Sequence, residues 1–264
     1  MKSLCIVGNS HLGALAKSVP YKVLSDLQIN VDFWGVAGKD FPNIKTSKAT
    51  LISPNPKYSL LVSNGKFENV NLEKFDVIWF HACHIEIFKF CKRMTDSLLS
   101  TTGLSQSFRE SFVEEEIVFW WGNLVFFDLY NAVSSYISKK SVFLTVHPLY
   151  SENYLNQCGE NELSVSYIEF FESILAKVTS FISRYCGENE VVFIEQPLPT
   201  VVGKIFTADV YSKNSVKLAT DNKPHPETDY VHMNEKYGHL LWAEVLDNIS
   251  PFLDGKQTKS KAFL

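Results

Sequence analysis

The chain has 264 residues, which is long for one domain and short for two, so one α/β domain with a sizeable insertion is expected. Apolar residues make up 45% and charged residues 20%, a balance that excludes global disorder. A net charge of -4 and an isoelectric point near 6.0 leave no electrostatic footprint for nucleic acid or anionic lipid, so small molecules or glycans are the expected partners.

In chain order, a short apolar run at residues 4–7 stops at Gly8-Asn9-Ser10-His11, too soon for a secretory leader, and predicts a strand. Leu12, Leu15, Ala16, Val19, Val23, Leu24 and Leu27 then keep helical spacing despite Pro20. Four further short, bulky runs, at 31–36, 76–80, 141–146 and 191–194, lack polar alternation and predict strands covered on both faces. Helical patterns occupy 85–99, a long stretch at 107–137, and 165–185; this alternation implies a parallel sheet with right-handed crossovers. Residues 43–71 break the rhythm, with β-like pieces at 50–52 and 58–62 that suggest a small hairpin at the rim. A loop over 201–228 leads to a last helix over 234–249, striped by Tyr237, Leu240, Leu241, Val245 and Leu246. The domain is expected to span 1–252, with a helical insertion over about 85–140 and a frayed tail over 253–264.

No stretch approaches the ~20 apolar residues of a membrane span; the richest, 117–127, contains Gly122 and Asn123. Five cysteines, irregularly spaced and without a CxxC, predict free thiols in a reducing cytoplasm. Nothing in the sequence reports an oligomeric state.

Open parallel sheets collect ligands at the carboxyl ends of their strands. Ser10 lies at such an end, between the first strand and the first helix, beside helix N-terminal amides that favour negative charge. A serine hydroxyl needs a base to take its proton, and the base needs a third group to fix its tautomer. Asp229-Tyr230-Val231-His232 supplies such a pair at the entry to the last helix. The carboxylate can hold one ring nitrogen while the other faces the serine.

Gly8-Asn9-Ser10-His11 behind an N-terminal strand, and the DxxH of Asp229 and His232 near the C-terminus, resemble the first and last conserved blocks of the SGNH (GDSL-like) hydrolases. The resemblance spans nearly the whole chain. Together with the alternation, it implies a flavodoxin-like three-layer α/β/α sandwich, its five-stranded parallel sheet in the order 2-1-3-4-5, with a helical insertion between strands three and four. It also implies a triad of Ser10, Asp229 and His232, acting through an acyl-enzyme with no cofactor. In that family the oxyanion hole uses the serine N–H, a glycine after the second strand and an asparagine after the third. Gly38 is the preferred glycine, with Gly35 its competitor. The third strand runs into His81-Ala82-Cys83-His84 where GxND is expected, so His84 or His81 could donate instead, or Asn123 could enter from the insertion. The family suggests a carbohydrate O-acyl ester, such as an O-acetylated sugar, as substrate. A sugar O-acyltransferase using the same triad is the alternative, as is a non-catalytic glycan-binding or scaffold protein.

Each candidate has a plainer role as well. Ser10 could cap the first helix, Asp229 and His232 could pair for structure alone, and Gly35 and Gly38 could serve turns. Asn9, His11, His81 and His147 are candidate substrate contacts. His81, Cys83 and His84 are chemically suitable zinc ligands, but no second cluster matches them and no metal is expected. His225, between Pro224 and Pro226, is set aside as a rival base for want of an acid at a matching offset. Trp120, Trp121, Phe126, Phe127 and Tyr130 are expected in the core, with a sugar-stacking wall or an oligomer interface as the alternatives.

Overall fold

The computed structural model describes residues 1–158, 163–218 and 223–253; the tail expected over 253–264 otherwise lies outside the described residues. Strand β1 (Lys2–Gly8) leads through a turn into α1 (Leu12–Lys17) and α2 (Tyr21–Asp26), then β2 (Ile29–Gly35). The expected single helix over 12–27 is two short ones, because Pro20 has no N–H to continue the ladder. A rim excursion follows: β3 (Lys45–Ser47), β4 (Thr50–Ile52), α3 (Pro56–Val62) and β5 (Val70–Asn71). The β-like piece expected at 58–62 is therefore helical. Asn55 caps it, its side chain accepting from the Tyr58 amide at 3.3 Å, and Pro56 occupies the first turn.

Strand β6 (Val77–Ala82) precedes the helical insertion, α4 (Ile87–Ser100), α5 (Gln106–Gly122) and α6 (Val125–Ile137). The long helix expected over 107–137 breaks at Gly122-Asn123, where the Asn123 side chain donates back to the Phe119 carbonyl at 2.7 Å and ends α5. Next come β7 (Ser141–Val146), α7 (Asn153–Cys158), α8 (Val165–Glu188), β8 (Val191–Phe193), a two-residue hairpin of β9 (Val201–Val202) and β10 (Phe206–Thr207), and α9 (Glu235–Leu253).

The central sheet has the order β2-β1-β6-β7-β8, all parallel, which is 2-1-3-4-5 in the chain order of its five strands. Successive side chains leave a strand on opposite faces, and this one alternation builds both layers. Cys5, Val7, Ile78, Phe80, Val142 and Leu144 face a core completed by α4, α5, α6 and α8. Leu4, Ile6, Val77, Trp79 and Phe143 face a second core closed by α1 and α9. The insertion aromatics lie in the first core. Phe80 meets Phe126 edge-on and Trp121 packs against Tyr185, while Trp120 and Phe127 are partly buried against the same core.

Helix α9 lies tight on α1. A Cβ at Gly238 would stand 2.4 Å from the Ala14 carbonyl, and Trp242 donates its indole N–H to the Leu15 carbonyl at 3.1 Å. The start of α9 is fixed as firmly: Asn234 donates to the Val210 and Lys213 carbonyls at 2.8 Å, while its own oxygen accepts from the Lys236 amide. The loop that follows β1 and the residues that precede α9 are thereby held against each other. Among the described residues no helix is long and apolar enough to cross a membrane, and the five cysteines are free thiols, four of them buried.

Candidate active site

Close approach of backbones at the carboxyl edge sets the geometry. A Cβ at Gly8 would stand 2.6 Å from the His81 carbonyl, and one at Gly35 would stand 2.6 Å from the Gly8 carbonyl, so β2, β1 and β6 converge only because both residues are glycine. Gly35 is used up by this packing. Gly38, by contrast, has room: a Cβ there would meet only His84 Nε2 at 3.8 Å and Ser10 Oγ at 3.9 Å.

Ser10, His232 and Asp229 are joined in sequence. The Ser10 hydroxyl lies 2.9 Å from His232 Nε2, and His232 Nδ1 lies 2.9 Å from Asp229 Oδ2. The carboxylate accepts, so Nδ1 carries a proton and Nε2 is the ring atom turned to the Ser10 hydroxyl. Asp229 Oδ1 accepts from the amides of Val231 at 2.9 Å and His232 at 2.8 Å. Burial alone would raise the Asp229 pKa, but hydrogen bonds from His225 and His232 override it and hold the carboxyl far below its ordinary range.

His225 is the residue that sequence reasoning passed over. Its Nδ1–H donates to the same Asp229 oxygen at 3.0 Å, and its ring stacks on His232 at 4.0 Å and 14°. The acid does stand at a matching offset, four residues on. Flanking prolines do not displace the histidine because its amide donates to the Ser215 carbonyl at 2.8 Å. Asp229 and the two imidazoles place donor atoms within 4.8 Å of one another, a spacing a metal ion could bridge. The rings are nearly parallel, however, so an ion between them would lie out of both ring planes, and both Nδ1 atoms already address the carboxylate.

Beneath Ser10 lies a layer of buried histidines. His11 stacks on His232 at 4.8 Å and tilts against His147 at 4.1 Å. Asn9 accepts from the His11 amide at 3.1 Å and, through Nδ2, donates to His147 Nε2 at 3.1 Å. His81 meets Thr145 Oγ1 at 2.8 Å, which also accepts from Trp79, and hydrogen-bonds the His11 backbone. Burial holds His11 and His147 neutral well below the ordinary histidine range and pushes His81 down to about 3. The Nδ1 of His147 is buried without a partner among the described residues. Asn9, His11, His81 and His147, expected as substrate contacts, are all buried and engaged with one another, packed against the loop that carries Ser10.

Residues 82–84 turn through three consecutive left-handed conformations, with φ of 64°, 35° and 61°, each costing on the order of 1–2 kcal/mol for a residue with a Cβ. This turn delivers His84 Nε2–H to the Gly38 carbonyl at 2.6 Å, so the donor expected to face an oxyanion is spent on the glycine loop. The three residues weighed as zinc ligands diverge: His81 to Thr145, Cys83 Sγ to the Val7 carbonyl, His84 to Gly38. Asn123 is occupied as the α5 cap, on an exposed part of the insertion. The amides of Ser10 and Gly38 have no acceptor among the described residues.

The site is that of a doubly wound parallel α/β protein with a serine, histidine and aspartate linked at the carboxyl edge of its sheet. The resemblance to the SGNH hydrolases thus extends from two motifs to strand order and to the placement of those motifs. No protein-family model matches the sequence, and no curated protein matches it. Among solved structures the chain is similar to the extracellular lipase of Streptomyces rimosus (11% identity, TM-score 0.48, covering 94% of this chain and 99% of that one). It is also similar to phospholipase A1 of Streptomyces albidoflavus NA297 (11% identity, TM-score 0.45, covering 94% and 98%). A carbohydrate acetylesterase family member from Sinorhizobium meliloti is a third (12% identity, TM-score 0.39, covering 97% and 100%).

Proposed function

We propose that the protein is a serine-dependent ester hydrolase acting on a carbohydrate O-acyl ester, with Ser10 as nucleophile, His232 as base and Asp229 as its orienting acid. The observation that carries the reading is the unbroken relay from Ser10 through His232 to Asp229, at 2.9 Å and 2.9 Å. His232 takes the hydroxyl proton as Ser10 Oγ attacks the ester carbonyl, then returns it to the departing alkoxide as the C–O bond breaks. Water repeats the sequence on the acyl-enzyme and frees the acid. His11, neutral beside His232, adds no second charge while the imidazolium exists.

The amides of Ser10 and Gly38 are the oxyanion donors in this reading, and His84 contributes by fixing the Gly38 loop. A site that loses one donor forgoes about 2.7–4 kcal/mol of transition-state stabilisation, so a two-donor hole suits an activated acyl ester and a slow turnover. With a sugar hydroxyl in place of water, the same residues carry acyl transfer; release of free acid against transfer to an acceptor separates the two. The free cysteines fit a reducing compartment, the cytoplasm.

Incubation with p-nitrophenyl acetate is expected to release p-nitrophenol in wild type and not in Ser10→Ala. A fluorophosphonate probe is expected to label Ser10 alone. Equal background release and no labelling would overturn the reading in favour of a non-catalytic role.

A further inference from the structure

Beside the triad lies an open groove of about 380 Å³ whose lining includes Tyr150, Tyr154, Tyr230, Lys89, Lys92 and Arg93. The segments that border it also carry the site. Tyr230 stands between Asp229 and His232, Tyr150 follows His147 after β7, and Lys89 is on the first turn of α4, behind His84. The Ser151 amide donates to the Tyr230 carbonyl at 2.8 Å and ties two of these segments together.

The rings form one aromatic cluster, in which Tyr154 and Tyr230 are partly exposed over buried Tyr150 and Phe88. Tyr230 contacts Tyr150 at 5.0 Å and Tyr154 at 4.9 Å, and Tyr150 stacks on Phe88 at 4.3 Å. No hydrogen bond among the described residues uses the hydroxyl of the partly exposed Tyr230, a donor on the lining of the groove. Positions 89, 92, 93 and 96 fall on one face of α4 by helical spacing, placing three cations and the acid Asp96 on the groove. Each cation has an acidic neighbour: Lys89 pairs with Glu86, Lys92 with Asp96 at 2.6 Å, and Arg93 with Glu116 at 3.7 Å. Lys89 and Arg93 are exposed, and exposed pairs of this kind bind weakly enough for a ligand carboxylate to exchange into them. The partly exposed rings of Tyr154 and Tyr230 suit the face of a pyranose, and the cations that share the groove suit a charge on its rim.

We propose that this groove is a subsite for a carboxylate-bearing sugar, so that the ester presented to Ser10 belongs to an acidic glycan. The proposal rests on the hydrolase reading above for its substrate, but its test is a binding measurement that does not use turnover. Trigalacturonate and sialyllactose would be titrated calorimetrically into the Ser10→Ala protein, each against its methyl ester, which keeps the rings and removes the charge. At least one acid should bind tenfold or more tighter than its ester, with the preference shrinking as salt is raised. A Lys89→Gln/Arg93→Gln protein that melts like its parent should lose that preference, and Tyr154→Ala should weaken acid and ester alike. Equal binding of acid and ester, no binding of either sugar, or a preference that survives the double substitution would overturn the subsite. Failure of the p-nitrophenyl acetate test with the binding result intact would instead overturn the hydrolase reading alone.

Discussion

Asp229 accepts four hydrogen bonds, two from backbone amides and one from each of two imidazoles, and the bond from His225 is the one a side-chain substitution removes without touching His232. A hydrogen bond to a charged group contributes roughly 1.5–3 kcal/mol, part of which here is structural. His225→Phe keeps a ring against His232 and deletes the donor; kcat/KM for p-nitrophenyl acetate should fall about tenfold. Asp229→Asn, which disturbs the tautomer of His232, should cost far more, ~10⁴-fold at comparable triads. If His225→Phe matched wild type, the second imidazole would be idle. The juxtaposition of Ser10, His232 and Asp229 was legible from two motifs, because local spacing dictates how Asp229 meets His232. His225 was readable too, since Asp229, four residues on, is the acid it was set aside for lacking. The engagement of His84 with Gly38 had no sequence signal, since it depends on a left-handed turn of three residues that all carry a Cβ.

At the level of elements, Ser10 and His232 approach each other because α1 and α9 do. Gly238→Ala would drive a methyl into the Ala14 carbonyl and Ser18, pushing the helices apart, and is expected to lower both melting temperature and turnover. Gly187→Ala in α8 meets nothing within 4 Å and should stabilise by about 0.4–1 kcal/mol, so chemical denaturation of the pair separates helix contact from helix propensity. Loss of turnover without loss of stability in Gly238→Ala would also locate the effect at the site. The five sheet strands were legible as short bulky runs, although the edge strands β2 and β8 are only partly buried, and their order came with the family resemblance and not from the runs alone. The segment at 58–62 was not: its aromatic and aliphatic content reads as strand, and the helix there depends on Asn55 and Pro56, two residues upstream of that run.

For the molecule as a whole, the buried neutral histidines set an acid limit. In the unfolded chain His11, His81 and His147 take up protons as pH falls below about 6.5, while the folded chain refuses them, so the unfolded state binds more protons and stability falls with falling pH. Each such residue contributes a slope of about 1.4 kcal/mol per pH unit, and three together about 4, over a window that for His81 runs from 6.5 down to about 3. Asp229 acts in the same direction but lower, its stabilisation being lost only as pH drops below the ordinary aspartate range. Urea unfolding at pH 7.5, 6.0 and 5.0 should reveal the steep loss, and His81→Gln should lessen it by about a third; a flat profile would contradict the buried assignment.

The stacking of His225, His232 and His11 has a use of its own. An imidazole flanked on both faces by aromatic rings, at 4.0 Å and 4.8 Å, lies within two ring currents, so the carbon-bound protons of His232 should resonate upfield of those of the exposed His239. That displaced resonance would be an internal reporter: acylation of Ser10, or any ligand that moves one ring of the stack, would shift a signal already set apart from the rest of the spectrum.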